Sequence, residues 1–182
     1  MKEGAPKNMR PDRELLNRLK DADATGQTAY TRHLCEAVLD KWPDHGPTLI
    51  RYACSLIELA VYDLATSVLD HAAAVVPEER MHLVHAQRGH LLEHMGDFIA
   101  AEEQHLKAHS LDPDDATYLI YAGGVAFRRG DIQQAEQYAR HALECTDGSL
   151  EEAHFNLGGC LLSQKRYPEA RYFYLNAFKI DP

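Results

Sequence analysis

One pattern of small residues recurs four times along the chain, at intervals of 34 to 36 residues. The four stretches begin at Gly46, His82, Ala116 and Glu151. In each stretch a glycine or alanine stands eighth, and alanines stand twentieth and twenty-seventh. Small residues at these spacings let two helices approach closely, and such a pair can bury its apolar face only against a neighbouring pair. The pattern therefore predicts an all-α repeat protein in which each unit contributes two closely packed helices.

The last stretch, residues 151–182, resembles the tetratricopeptide repeat, whose pattern is W-x2-L-G-x2-Y…A-x3-F…P over 34 residues. It differs from that pattern at His154, where the family has tryptophan, and the fourth stretch has Asp147 in place of the closing proline. The resemblance covers residues 46–182. It implies a right-handed α-solenoid, a superhelix of about ten helices stacked as antiparallel pairs with a concave groove. The matching residues of the last stretch are Leu157, Gly158, Leu161, Ala170, Tyr174 and Pro182.

The repeat pattern also divides the chain. Residues 1–11 contain Gly4, Pro6 and Pro11 and few apolar side chains, so we expect a flexible tail. Residues 12–182 are predicted to form a single domain. Its predicted repeats are 12–45, which is degenerate, then 46–81, 82–115, 116–150 and 151–182.

Charge and composition exclude several classes of function. The net charge of -9 argues against a nucleic-acid backbone as the main partner. No apolar run approaches the ~18 residues that a membrane span needs, and the first residues lack the apolar core of a secretory signal. We therefore expect a cytoplasmic protein with no membrane contact.

No cofactor or metal site is predicted. The four cysteines, at positions 35, 54, 145 and 160, show no C-x2-C spacing and are expected to be reduced and buried. The glycine pairs at 123–124 and 158–159 lack the spacing of a phosphate-binding loop, and the first glycine of each pair occupies a close-packing position.

One motif has the spacing of a metalloenzyme. His90, Glu93 and His94 match H-x-x-E-H, in which two histidines on one helical face share a zinc and the glutamate acts as a base. The motif lies inside the first helix of a repeat, and eleven histidines in the chain make chance pairs at this spacing common. A zinc-dependent hydrolase is accordingly the weakest of three functional interpretations. The histidine-rich middle also suggests a stability that depends on pH near pH 6.

The resemblance implies a binding groove lined by the first helix of each repeat. Family members that hold the C-terminal carboxylates of chaperones use a clamp of lysines, asparagines and an arginine, and this groove lacks the lysines and most of the asparagines. A short peptide with apolar side chains is the expected partner. The groove residues are predicted to be Arg51, Gln87, His90, His94, Tyr121, Phe127, Arg128, Phe155 and Asn156.

The last helix is aromatic on more than one face, and an apolar end of a repeat stack must be covered. Tyr172, Phe173 and Phe178 are the predicted covered residues. Two interpretations stay open: the natural chain continues past Pro182, or a second copy forms a homodimer through the last repeat.

The leading functional interpretation is a non-catalytic scaffold that binds a protein or peptide. The second is a regulatory or targeting domain of a larger enzyme that continues beyond residue 182.

Overall fold

The computed structural model describes residues 11–181 of the chain. Within that range there are ten α-helices and one short 3-10 helix, Glu78–Arg80. The α-helices are α1 (Arg13–Ala24), α2 (Thr28–Leu39), α3 (Gly46–Glu58), α4 (Tyr62–Val75), α5 (Met81–Met95), α6 (Phe98–Leu111), α7 (Thr117–Arg128), α8 (Ile132–Ala142), α9 (Leu150–Ser163) and α10 (Tyr167–Ile180). They form two compact units, one that ends at His94 and one that begins at Met95. The predicted tail lies outside the described residues except for Pro11.

The first unit contains α1 to α4 and nearly all of α5. Each of the first three helices packs against the next one along the chain. Their apolar faces meet in one core, and Trp42 packs against its edge as a partly buried side chain. The larger buried side chains of this core are Leu19, Leu34, Val38, Leu49, Leu56, Leu69, Val84 and Leu91.

The second unit contains α6 to α10. Consecutive helices again pack together, and α7 also contacts α9. Its core is built of several smaller clusters, and the largest fully buried side chains in it are Leu157, Leu161, Val125 and His105. The contact between α7 and α9 joins the first helices of two successive pairs.

The small residues of the repeat pattern lie where helices approach closely. All twelve of them are buried, which confirms the prediction of close-packing positions and the all-α fold class. They are Ala53, Ala65, Ala72, Gly89, Ala101, Ala108, Gly123, Ala135, Ala142, Gly158, Ala170 and Ala177. In the degenerate first repeat, Thr31 and Val38 take two of these positions and are buried as well.

The turn inside each helix pair places one residue in the left-handed region of backbone conformation. Glycine fills that position in three turns, whereas Ala60 and Lys165 fill it in the other two, with φ angles of 57° and 61°. A side chain in this conformation costs about 1 kcal/mol relative to glycine. Ala60 stands at the predicted turn position of its repeat, although alanine itself carries no turn signal. The three glycines are Gly26, Gly96 and Gly130.

The connections around α7 and α8 differ from the predicted bounds. The sequence predicted helices over 115–129 and 132–145, but α7 begins at Thr117 and α8 ends at Ala142. The backbone N–H of Ala116 donates to the carbonyl of Asp147 at 3.0 Å, so Ala116 pairs with the loop that follows α8. After Ala142 the N–H groups of Leu143, Glu144 and Cys145 donate to carbonyls three residues earlier, so α8 ends in a tighter turn. Asp115 caps α7 through a hydrogen bond of 2.9 Å from the N–H of Thr117.

No α-helix within residues 11–181 combines the length and the apolar character that crossing a bilayer requires.

Candidate functional site

Phe127, Phe155 and Asn156, three of the predicted groove residues, line one cavity of about 190 Å³ in the second unit. It lies between α7 and α9, and we call it the α7–α9 cavity. Both phenylalanines are exposed, Phe127 to 40% and Phe155 to 59%, although rings of this size are normally buried. The remaining lining residues are Leu119, Ile120, Gly123, Gly124, Ala135, Ala139, Gly159 and Cys160.

Two glycines open this cavity. A Cβ atom built on Gly124 would meet no atom within 4 Å, and one on Gly159 would meet only the Tyr174 hydroxyl at 3.7 Å. Neither glycine is therefore required for helix packing. By contrast, a Cβ on Gly158 would lie 2.9 Å from the ring of Tyr174. Glycine inside a helix destabilises it by about 1 kcal/mol relative to alanine. Gly124 and Gly159 therefore lower the stability of their helices, although packing would allow a larger residue at both positions.

The lining of the α7–α9 cavity is largely apolar. Asn156 contributes an amide that can both donate and accept a hydrogen bond. The two aromatic rings and the bare backbone at Gly124 and Gly159 suit an apolar side chain, and the amide suits the peptide backbone next to it.

Tyr121 and Arg128, the other two predicted groove residues of the second unit, do not line this cavity. The ring of Tyr121 packs against the buried ring of His105, with 5.3 Å between ring centroids. The guanidinium of Arg128 lies over the ring of Phe98 at 5.8 Å from its centroid.

Arg51 and Gln87 line a second cavity, of about 390 Å³, in the first unit. Arg51 projects from α3, where its Nη1 lies 2.9 Å from a carboxylate oxygen of Asp23 on α1. The cavity also contains Arg80, which the repeat pattern did not indicate because it lies in the 3-10 helix before α5. We call this the Arg51–Arg80 cavity. Its other lining residues are Gly46, Pro47, Ile50, Cys54, Val75, Val76, Pro77 and Leu83.

The two histidines of the H-x-x-E-H motif have different neighbours on α5. The Nδ1 atom of His90 lies 3.5 Å from an oxygen of Glu93. The ring of His94 instead packs against Tyr62, with 6.4 Å between ring centroids.

All four cysteines are free thiols. Burial raises the pKa of Cys35 to about 12 and the pKa values of Cys54 and Cys160 to about 11. Burial also raises the pKa of Cys145. These thiols stay protonated at neutral pH, whereas a nucleophilic cysteine needs a lowered pKa.

The predicted aromatic face of α10 is partly exposed. Tyr172 is 60% and Phe178 64% exposed, whereas Phe173 is half-buried, with its ring 5.7 Å from the ring of His154. Phe178 lines a shallow groove of about 420 Å³ together with Tyr174 and Phe155. The acidic residues at its rim are Glu151, Glu152 and Asp181.

Comparison with solved structures identifies the fold. A tetratricopeptide protein described as "Crystal structure of YrrB: a TPR protein with an unusual peptide-binding site" matches with a TM-score of 0.59 and 14% identity, over 92% of this chain and 85% of that one. The structure described as "Crystal structure of APC/C hetero-tetramer Cut9-Hcn1" matches with a TM-score of 0.76 and 21% identity, over 92% of this chain and 33% of that one.

Comparison with known sequences identifies the family. TPR repeat-containing protein PA4667 of Pseudomonas aeruginosa is 46% identical over 44 residues, which are 24% of this chain and 8% of that protein. The chain thus matches only a small part of this relative's length. Two profiles described as "Tetratricopeptide repeat" match residues 87–149 and 151–182, which together are more than half of the chain. The chain belongs to the tetratricopeptide repeat family.

Proposed function

We propose that this chain is a non-catalytic scaffold that binds a peptide or an extended protein segment, and that the α7–α9 cavity receives an apolar side chain of that segment. Tetratricopeptide repeat domains are in general protein-interaction modules without catalytic activity. Two structural neighbours, one described as having an unusual peptide-binding site and one as a hetero-tetramer, agree with such a role.

The observation that carries the proposal is the pair of unnecessary glycines. Gly124 and Gly159 follow the packing glycine of their repeats and leave backbone exposed next to two exposed phenylalanine rings. A site for an apolar side chain explains this combination, because the side chain would bury both rings and occupy the space that a Cβ at either position would fill.

The partner is proposed to be a protein segment and not nucleic acid or a membrane. The net charge of -9 disfavours an anionic polymer or surface. The cytoplasmic location remains a prediction. The proposed contacts outside the α7–α9 cavity remain Arg51, Gln87, His90, His94, Tyr121 and Arg128.

The test fills the cavity without damaging the helix. Peptides are selected from a phage-displayed random library on the wild-type chain, and their dissociation constants are then measured by fluorescence anisotropy for wild type and Gly124→Leu. Because the cavity is open at Gly124, we expect Gly124→Leu to fold normally. It should bind the selected peptides about tenfold more weakly, which is the loss expected when one buried apolar contact of about 1.5 kcal/mol is removed.

Gln133→Leu is the matched control, because it adds the same side chain at an exposed position of α8. Equal affinities of wild type and Gly124→Leu for every selected peptide would contradict the assignment of the cavity.

We also propose that a second copy of the chain covers the aromatic face of α10. The exposed rings of Tyr172 and Phe178 support this contact, because large exposed apolar side chains are typical of protein interfaces.

A further inference from the structure

The Arg51–Arg80 cavity differs from the α7–α9 cavity in its charge. Two guanidinium groups and the amide of Gln87 lie along its lining, and Asp23 is the one acidic residue there. The rest of the lining is mostly aliphatic. Its apolar residues are Ile50, Val75, Val76, Pro77 and Leu83.

The two arginines differ in their ion pairs. Arg51 forms an ion pair with Asp23 at 2.9 Å. Among residues 11–181, no carboxylate forms an ion pair with Arg80. Glu78 and Glu79 precede Arg80 in the same short helix, but neither lines the cavity.

This charge distribution stands out against the rest of the chain, which has 28 acidic and 19 basic residues. An arginine without a carboxylate partner, in a cavity whose lining carries a net positive charge, is complementary to an anion. Guanidinium binds carboxylate through paired hydrogen bonds, which are about twice as strong as neutral ones.

We propose that the Arg51–Arg80 cavity binds a peptide segment in which a carboxylate stands beside an aliphatic side chain. Arg80 binds the carboxylate, the aliphatic walls hold the neighbouring side chain, and the amide of Gln87 hydrogen-bonds the peptide backbone. This inference rests on the proposed peptide-binding function, and it assigns a second site on other helices with a different ligand chemistry.

Asp23 has a definite part in this site. Its carboxylate pairs with Arg51 and adds a negative charge to the lining of the cavity. It therefore competes with an acidic ligand and repels it, so removal of its charge should strengthen binding.

The test uses the full chain and an array of short synthetic peptides. Each peptide carries a central leucine with an increasing number of flanking Asp or Glu residues, and matched peptides carry Asn or Gln instead. These peptides are amidated at the C-terminus. A further set has a free C-terminus, so that binding of a side-chain carboxylate can be distinguished from binding of a terminal carboxylate. Dissociation constants of the strongest binders are measured by fluorescence anisotropy.

Three variants are compared with wild type. Arg80→Gln should weaken the binding of acidic peptides about tenfold, which is the loss expected for one charge-assisted hydrogen bond. Asp23→Asn should strengthen it severalfold. Arg88→Gln is the control on α5, because Arg88 pairs with Asp70 at 2.8 Å and does not line the cavity; it should leave affinity unchanged.

Opposite effects of Arg80→Gln and Asp23→Asn cannot arise from unfolding, and far-ultraviolet circular dichroism of each variant confirms that it folds. Affinity that does not depend on the number of acidic residues, or equal effects of Arg80→Gln and Arg88→Gln, would overturn the inference. If peptides bind without a need for acid and Gly124→Leu abolishes that binding, the proposed function stands and this inference fails. If no peptide of the array or the phage library binds, both fail.

Discussion

Gly124→Ala and Gly158→Ala are the same chemical change inside two neighbouring helices, yet they should shift stability in opposite directions. In a helix interior, alanine is more favourable than glycine by about 1 kcal/mol. At Gly124 the new methyl group would meet no atom within 4 Å, so we expect that full gain. At Gly158 it would lie 2.9 Å from two ring atoms of Tyr174 and 3.1 Å from a third.

The ring of Tyr174 cannot move away easily, because one of the three close atoms is Cγ, next to its own backbone, and the ring also packs on Phe155 with 5.3 Å between centroids. Overpacking of this kind costs about 1–3 kcal/mol. After the gain in helix propensity, Gly158→Ala should lower the free energy of unfolding by about 0–2 kcal/mol. The two variants should therefore differ by about 1–3 kcal/mol.

Urea denaturation followed by circular dichroism measures this difference, with the slope of the transition compared between the variants to confirm that only stability has changed. If Gly158→Ala stabilises the chain as much as Gly124→Ala does, the distinction between a packing glycine and a cavity-opening glycine is wrong. The argument that Gly124 keeps the α7–α9 cavity open would then lose its support.

Three further predictions concern the ionic network, the histidines and the face of α10. The side chain of Glu136 is only 13% exposed and accepts hydrogen bonds from Gln164, Arg140 and Arg166. Glu136→Gln should therefore lower the free energy of unfolding by about 1–2 kcal/mol in a urea titration. Glu144→Gln is the control in the same titration: Glu144 pairs with His141 at an exposed position, so this variant should change the free energy of unfolding by less than about 0.5 kcal/mol. Burial lowers the pKa of three histidines, whereas histidine pKa values in the unfolded chain lie near 6.5. As the pH falls, the unfolded chain therefore binds more protons than the folded chain, and the melting temperature should be lower at pH 5.5 than at pH 7.5. Identical melting temperatures would contradict this. These histidines are His45, His109 and His154. Phe178→Asp should convert a dimer into a monomer in sedimentation equilibrium, and a wild-type chain that is monomeric at every concentration would refute the proposed homodimer.

The sequence was sufficient to predict the architecture, because the repeat is defined by small residues whose role is steric. Alanine or glycine at the three recurring positions can be read directly as close helix contacts, and all of these residues are buried. The bounds of α7 and α8 could not be predicted to the residue, because neither the backbone pairing of Ala116 with Asp147 nor the tighter turn after Ala142 leaves a sequence signal.

The candidate site was predictable only in part. The repeat position of a residue indicates which helix face it occupies, and this was sufficient to bring Phe127, Phe155 and Asn156 to one cavity. It could not show that Tyr121 packs against a histidine, since that contact depends on the rotamer chosen. Nor could it indicate Arg80, which lies in a connecting segment outside the helical pattern.

The most direct test of the central claim is a nuclear magnetic resonance titration of the ¹⁵N-labelled chain with a peptide selected from the phage library. The amides of Gly124 and Gly159 lie in the floor of the α7–α9 cavity, and alanine substitutions assign their signals. The account predicts that these two signals and the side-chain amide of Asn156 shift with the peptide concentration, while Gly26 and Gly148, which line no part of that cavity, stay unchanged. Saturable binding that leaves the signals of Gly124, Gly159 and Asn156 in place would contradict the account.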